Sequence, residues 1–331
     1  MSGVGAGGAA LITGATGQDG YYLSELLQRN GVEVHGVPRA VLADRPALIE
    51  LVTSARPDYV FHLAAISSVA ASWRDPDATS RTNALTTVTL LDACIAAQDR
   101  TGKRISIVNA SSGEIFAGAV ESPRTETTPL QPLSPYGVSK AFSHMMCQVY
   151  RAKGLQVSNA ILYSHESPRR PEDFVSRKIT KAVAAIAAGR QDRLVLGDLA
   201  AQRDWGWAPD YVEAMYRMAL YGKGDDFIVA SGVTHSVREF ADAAFAVAGI
   251  DDWQAHVDTD PALMRPAEGI PNVGDATKAR TVLGWRPTRG FDEIVKAMVS
   301  FDLRQEQDAC GKNLRGRTLK TSPASASSLL I

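Results

Sequence analysis

Apolar and polar positions alternate between two periods along the first half of the chain. Short apolar runs at Ala9–Thr13, Glu33–Val37, Tyr59–Leu63, Ile105–Asn109 and Val157–Tyr163 predict strands. Between them the apolar spacing is helical. Gln18–Asn30 puts Tyr22, Leu23, Leu26 and Leu27 on one face, and Ala47–Ser54, Asp77–Ala97 and Pro135–Ala152 read the same way. The last of these has Pro at its start, where the missing N–H costs nothing. Strands alternating with helices imply βαβ units and a parallel sheet with right-handed crossovers.

The second half is more mixed. Phe174–Ala188, Val237–Ala248 and Phe291–Leu303 predict helices, and Leu194–Gly197 and Phe227–Ala230 predict strands. From about Gln305 the periodicity fails, and the Ser-, Thr-, Lys- and Arg-rich end predicts a flexible tail over 306–331. There is no internal repeat.

Composition narrows the classes. A chain of 331 residues, 45% hydrophobic and 21% charged, suits a soluble protein of two ordinary domains. Lys and Arg total 35 against 36 Asp and Glu, a balance that argues against a general nucleic-acid binder. The three cysteines, Cys94, Cys147 and Cys310, are scattered, so neither a disulfide framework nor a cysteine zinc site is expected, and no other metal set is apparent. No apolar run matches a membrane span, and the start lacks the basic region of a signal peptide. These observations lead us to expect a reduced, cytoplasmic protein without a membrane partner.

The strongest local signal is the run Thr13-Gly14-Ala15-Thr16-Gly17-Gln18-Asp19-Gly20, which follows a strand and opens a helix. Gly14 suits the tight turn, Gly17 lets backbone N–H groups approach a pyrophosphate, and Gly20 lets the helix sit close to the sheet. The helix N-terminus favours the anion. An ordinary strand–helix corner could also be Gly-rich, but the context fits a dinucleotide site built from Gly14, Thr16, Gly17, Gln18, Asp19 and Gly20. Leu63, Ala64 and Ala65, at the end of another strand, join that expected set, since strand C-termini line the ligand crevice. The fold class expected is therefore α/β: a Rossmann-type parallel sheet with helices on both faces, plus a smaller mixed α/β substrate domain. The sheet domain is assigned to 1–163 and about 205–235, and the substrate domain to about 164–204 and 236–305.

The end of the second strand bears on the cofactor. NAD binders usually place an acid there for the ribose 2′-hydroxyl. This chain has His35-Gly36-Val37-Pro38-Arg39 instead, and Arg39 could meet a 2′-phosphate bidentately. NADP is expected in preference to NAD.

Tyr136 and Lys140 stand at i and i+4 on one helix face. A lysine cation near a phenol lowers its pKa, so Tyr136 could serve as a base. Such a pair is often merely exposed. Here Ser111-Ser112-Gly113-Glu114 follows the strand Ile105–Asn109, so a hydroxyl, a carboxylate, a phenol and an ammonium could converge on one substrate.

The Gly-rich turn with Ser…Tyr-x-x-x-Lys resembles the extended short-chain dehydrogenase/reductases that act on nucleotide sugars. Later segments are similar to the GDP-mannose 4,6-dehydratase family in particular. They are His165–Arg170, Phe174–Thr180, Arg203–Gly206, Asp210–Met215 and Arg265–Glu268, with Ser134–Met146 and Gly232–Phe240. The likeness covers roughly residues 9–303. It implies a redox-neutral dehydration of a GDP-sugar, in which C4 is oxidised, water leaves across C5 and C6, and the hydride returns to C6. It implies Tyr136 as the base at O4, Lys140 as its tuner and a holder of the nicotinamide ribose, Ser112 as the group orienting the 4-hydroxyl, and Glu114 as the C5/C6 acid–base. On the substrate side it implies Val175 and Lys178 at guanine, Arg203 and Arg265 on the diphosphate, Glu268 near the ribose or base, and Ser67, Ser164 and Glu166 along the sugar.

The chain departs from that family at several points. Ser112 and Gly113 stand where Thr and Ser are usual, Ile66-Ser67-Ser68 where Gln-Ser-His is usual, Ser164 where Asn is usual, and Trp207 where His is usual. A stretch of family residues is absent between Arg39 and Ala40, including the usual third strand. The resemblance therefore implies a trimmed sheet edge, and a homodimer through the 77–97 and 135–152 helices rather than a tetramer. The shortened first half also resembles GDP-4-keto-6-deoxymannose reductases. A GDP-4-keto-6-deoxy-sugar reductase or epimerase, and a non-catalytic NADP- or nucleotide-sugar-binding protein, stand as alternatives to the leading expectation of a GDP-sugar 4,6-dehydratase.

Overall fold

The computed structural model describes residues 7–264 and 270–318, with side chains as far as residue 308. A six-stranded sheet has the order β2-β1-β3-β4-β5-β9. Its strands are β1 (Ala9–Thr13), β2 (Glu33–Val37), β3 (Tyr59–His62), β4 (Ser106–Ser112), β5 (Gln156–Leu162) and β9 (Asp226–Val229), and every pairing is parallel. All seven residues of β4 are buried, as befits a central strand covered on both faces. β2 pairs with β1 alone and is mostly exposed, so the sheet stops there, at the trimmed edge.

Helices cover both faces. On one, α1 (Gln18–Arg29) and α9 (Ala208–Tyr221) bury Leu23, Leu27, Tyr211, Val212 and Met215 against Ile12, Phe61 and Val108. On the other, α3 (Arg45–Ala55), α6 (Thr86–Thr101) and α7 (Pro135–Arg151) bury Leu48, Val52, Leu91, Cys94, Cys147 and Tyr150. A short helix α2 (Arg39–Ala43) leaves β2 directly and tucks Leu42 into this second core.

The expected helix Asp77–Ala97 forms as one helical run from Pro76 to Thr101, with a π turn inside it. After α4 (Val69–Arg74), α5 (Pro76–Ser80) gives way to a π turn at Arg81–Leu85 before α6 begins. The cause is local. Thr79, Thr86 and Thr87 each bond back to the carbonyl four residues earlier, and the Asn83 carbonyl also accepts from Ser143 Oγ at 2.8 Å. Such π turns are frequent at functional sites, and Arg81, Thr82 and Thr86 line the main cleft.

The smaller unit has two little sheets. One is β10-β8-β6, from β6 (Ser164–Glu166), β8 (Gln202–Trp207) and β10 (Thr234–Ser236). The other pairs β7 (Leu194–Leu196) with β11 (Val257–Thr259). Three helices, α8 (Val175–Ala187), α10 (Val237–Val247) and α12 (Phe291–Thr318), enclose a core of Ile179, Val183, Trp205, Phe240, Phe245 and Met298. The expected division put all of 236–305 in this unit. The structure returns part of it to the first, because α11 (Thr277–Val282) and Trp285 pack with Tyr211 and Phe227. The expected tail also differs. Residues 306–318 continue α12, while 319–331 lie outside the described residues. The packed Phe291–Leu303 half bears the nucleation cost, and the helix propagates through Arg304, Gln305 and Glu306, with an Arg190–Glu306 ion pair. No helix among the described residues is long and apolar enough to cross a membrane.

Candidate active site

A cleft of about 1180 Å³ runs between the two units, along the C-terminal ends of β1, β3, β4 and β5. That is where an open parallel sheet takes its ligands. Gly14, Thr16, Gly17, Gln18, Asp19, Gly20, Arg39, Leu63, Ala64 and Ala65 all line one end. Gly14 has φ +73°, and a Cβ there would lie 2.9 Å from the Ala64 nitrogen. A Cβ on Gly20 would stand 2.3 Å from the Gly14 carbonyl oxygen. The turn thus closes onto itself and onto the β3 loop only with glycine at both places. No side chain caps the N-terminus of α1, so its first-turn N–H groups are left to an anion. The donor set fits a nicotinamide dinucleotide.

A buried hydrogen-bond chain stiffens this floor. Thr13 Oγ1 accepts from the Leu63 and Ala64 nitrogens at 3.0 and 3.1 Å, so its proton goes to His62 Nδ1 at 2.8 Å. His62 Nε2 then donates to Thr87 Oγ1 at 3.1 Å. Burial, helped by the Lys140 cation, pulls the His62 pKa down to about 3, so the ring stays neutral. Asn83 holds the next stretch of loop through the Ile66 nitrogen and carbonyl, at 2.8 and 3.0 Å.

Gln18 and Asp19 carry a second duty. Gln18 Nε2 donates to the His165 carbonyl at 3.0 Å, and Ser167 Oγ donates to Gln18 Oε1 at 2.7 Å. Asp19 pairs with His165 Nε2 at 2.9 Å. Burial would push the Asp19 carboxyl up, but His165 and Arg170 outweigh it and hold the group below the usual carboxylate range. The Gly-rich turn is in this way stitched to the smaller unit.

Ser112, Glu114, Tyr136 and Lys140 meet in the middle of the cleft. Ser112 ends β4, and its hydroxyl is near enough to the Tyr136 phenol to lower its pKa. Glu114 sits in the turn Gly113–Phe116, with its nitrogen on Ser112 Oγ at 3.2 Å. Tyr136 and Lys140 come from the first turns of α7, which Ser134 caps by accepting from the Gly137 nitrogen at 3.0 Å. The expected lowering of the Tyr136 phenol is not met. Burial dominates and pushes it up to about 12, with Ser112 and Arg170 opposing and Glu114 adding to the rise. Lys140 points past the ring, its Nζ donating to the Ala110 carbonyl at 2.7 Å, and burial lowers its ammonium to about 8.

Ser67 lines the cleft just past Ala65, and Ser164, Glu166, Val175 and Arg203 line it from the smaller unit. Glu166 is buried, accepts from Ser176 Oγ and lies 3.4 Å from Arg170 Nε. Lys178 stands in the first turn of α8 but is not a lining residue. Arg265 and Glu268 lie outside the described residues. Asp204, next to Arg203 in β8, accepts from the Ser231 nitrogen and hydroxyl and from the Gly232 nitrogen.

Arg170, Tyr163 and Asn272 also line the cleft, beyond the residues that the sequence points to. Arg170 stacks on Phe174, 3.7 Å from the ring centre, and its charge is felt by both Tyr136 and Asp19. The Arg169-Arg170 pair within the His165–Arg170 segment was the available signal. Nothing local marks Asn272. Among the described residues no cluster of His, Cys, Asp or Glu could hold a metal ion.

Known proteins share both the sequence and the fold of this chain. The GDP-mannose 4,6 dehydratase family model matches residues 39–298. GDP-mannose 4,6 dehydratase 1 of Arabidopsis thaliana is 42% identical, over 89% of this chain and 89% of its own length. Among solved structures, RMD from Pseudomonas aeruginosa complexed with NADPH superposes with a TM-score of 0.79 at 26% identity, covering 90% of this chain and 99% of that one. A UDP-glucose 4-epimerase of Thermus thermophilus in complex with NAD gives 0.76 at 28% identity, covering 89% and 98%.

Proposed function

The chain belongs to the GDP-mannose 4,6-dehydratase family, and from that premise we propose how its own residues carry the reaction. It is a GDP-sugar 4,6-dehydratase, a lyase. GDP-mannose is the substrate we infer, from the names of its relatives. The observation that carries the mechanism is Glu114 lining the same cleft as Ser112, Tyr136 and Lys140. Reduction of a ketone has no need of that carboxylate, whereas removal of a proton beside one does.

The turn Gly14–Gly20, the loop Leu63–Ala65 and Lys140 would hold a nicotinamide cofactor. NADP is our reading over NAD, supported by Arg39 at the end of β2 and by the NADPH-bound relative. When bound, such a cofactor would supply reversible hydride chemistry, acceptor for C4 and donor for C6. Ser112 orients the sugar 4-hydroxyl, and Tyr136 takes its proton as the phenolate, a form that burial opposes and that the positive charge of an oxidised nicotinamide would favour. Lys140, lowered to about 8, provides a proton-exchanging group one helical turn away. Glu114 then removes the C5 proton, acidified by the new C4 ketone, and passes it to the departing 6-hydroxyl; once C6 has regained hydride, the proton first taken by Tyr136, exchangeable with solvent, returns to C5. Val175, Lys178, Arg203, Arg265 and Glu268 are our assignment for the GDP end, with Ser67, Ser164 and Glu166 along the sugar. Arg203 and Arg265 suit a diphosphate because the guanidinium fork meets phosphate oxygens bidentately.

A homodimer is part of the same reading. Val138, Phe142, Met145 and Val149 form an exposed apolar stripe along α7, with Leu85 of the π turn also exposed. The free, buried thiols of Cys94 and Cys147 suit a reducing compartment, which supports a cytoplasmic location.

Incubation with GDP-mannose and NADP⁺, followed by mass spectrometry, tests the reaction. The expected product has lost one water with no net NADPH formed. Turnover only of a 4-keto sugar with added NADPH would overturn the mechanism in favour of a reductase. Glu114→Gln should slow water loss by about 10²–10⁴-fold while cofactor affinity holds.

A further inference from the structure

We propose that Asn272 is a positioning residue for Glu114: its side-chain amide clamps the Gly113 peptide that joins Ser112 to Glu114. The proposal rests on Glu114 being the C5/C6 acid–base.

The need for a clamp follows from the local chain. Ser112 is the last residue of β4 and is paired in register with Leu162 of β5. Glu114 lies beyond that ladder, past a glycine, in a turn whose closing bond, from the Ala117 nitrogen to the Glu114 carbonyl, is 3.4 Å long. Glycine is the residue with most backbone freedom to lose. Misplacing a reacting group by about 1 Å can cost on the order of 10²-fold in rate.

Asn272 meets that need from across the cleft. Its Nδ2 donates to the Gly113 carbonyl at 2.7 Å, and its Oδ1 accepts from the Tyr163 hydroxyl at 3.1 Å. A carbonyl can only accept, so the amide has one orientation, and both its halves are used. The Tyr163 ring is held just as tightly. A Cβ on Gly113 would stand 3.0 Å from its Cζ, and a Cβ on Gly274 would stand 2.8 Å from the same atom. The ring fits because both neighbours are glycine.

The segment carrying Asn272 is itself anchored. The Arg124 nitrogen donates to the Val273 carbonyl at 2.7 Å, and the Asp275 nitrogen donates to the Arg124 carbonyl at 2.8 Å. The fully buried Arg124 side chain donates from Nη2 to the Ala119 carbonyl at 2.6 Å. The loop after the catalytic turn and the segment bearing Asn272 are therefore one hydrogen-bonded piece. Ile270 and Asn272 both line the cleft, so the clamp stands where the catalytic turn meets the wall of the site.

The test uses the full chain with NADP⁺ and GDP-mannose in D₂O. Three readings separate the steps: KM against kcat, transient absorbance of reduced nicotinamide, and deuterium incorporation at C5. Asn272→Ala should lower kcat and C5 exchange by about 10²-fold. KM should move less than about twofold, and the early absorbance transient should form at the wild-type rate. Tyr163→Phe keeps the bond to Gly113 and should cost only about 3–10-fold at the same step. It also decides the matter if Asn272→Ala fails to fold. Equal slowing of the transient and of C5 exchange, or no slowing of either, would overturn the proposal. Glu114→Gln run in parallel tells the two readings apart. Wild-type elimination in that variant would sink the role of Glu114, whereas a slow Glu114→Gln beside a fast Asn272→Ala would sink only the clamp.

Discussion

Lys140 lies one helical turn beyond Tyr136, yet its Nζ stands 6.0 Å from the Tyr136 ring centre and donates to the Ala110 carbonyl. The two side chains share a helix face without the ammonium being spent on the ring. Burial sets both groups, raising the phenol to about 12 and lowering the ammonium to about 8. The site holds a costly cation in reserve.

That cost should be measurable in protein stripped of nucleotide. Lys140 binds its proton more weakly folded, at about 8, than at its ordinary 10.5. Below pH 8 both states are protonated and the full penalty stands. Between the two values the unfolded chain holds more protons, so stability rises with pH. Lys140→Met should raise Tm at pH 7, by about 2–4 °C for each kcal/mol relieved, and should abolish turnover. Thermal melts at pH 7 and 9 check this, and an unchanged or lower Tm in the variant at pH 7 counts against it.

His62 predicts acid sensitivity of the same origin, in a lower pH window. Its folded pKa of about 3 lies far below the ordinary 6.5 because the ring is buried neutral between Thr13 and Thr87. The stability it contributes is complete above pH 6.5 and declines as pH falls toward 3, at about 1.4 kcal/mol per pH unit. Urea unfolding at pH 7 and pH 5 should therefore reveal about 2 kcal/mol of loss that His62→Gln does not share. Equal pH slopes in the two proteins would refute it.

Arg39 should decide between the two dinucleotides. A charge-assisted contact with a 2′-phosphate is worth about 1.5–3 kcal/mol, so Arg39→Ala should weaken NADP⁺ binding by about 10–100-fold. NAD⁺ binding, titrated calorimetrically alongside, should stay as it was. Parallel weakening of both would assign Arg39 a role in folding the α2 corner instead.

The apolar stripe on α7 should be covered by a second copy. Phe142→Glu places a charge among Val138, Met145 and Val149 and should convert a dimer into monomers by light scattering. A wild-type protein that is already monomeric at micromolar concentration would exclude this surface as a dimer contact.

Much of this protein is written locally. The strands β1–β5, the helices on either side of them, the Gly-rich turn and the Ser112–Glu114 and Tyr136–Lys140 pairs follow from periodicity, turn chemistry and i,i+4 spacing. Each depends on neighbours within a turn or a strand, so the sequence alone can carry it. Three features depended on distant residues. The π turn at Arg81–Leu85 arises because the Asn83 carbonyl is shared with Ser143. The Tyr136 phenol is raised because burial, a property of the packed whole, outweighs the charges around it. Asn272 reaches Gly113 across 159 positions of chain, with no pattern around it to announce the contact. Local chemistry and the family resemblance together supplied the candidate reacting groups. Only the packed structure decided how dry they are, what holds them still, and which way Lys140 points.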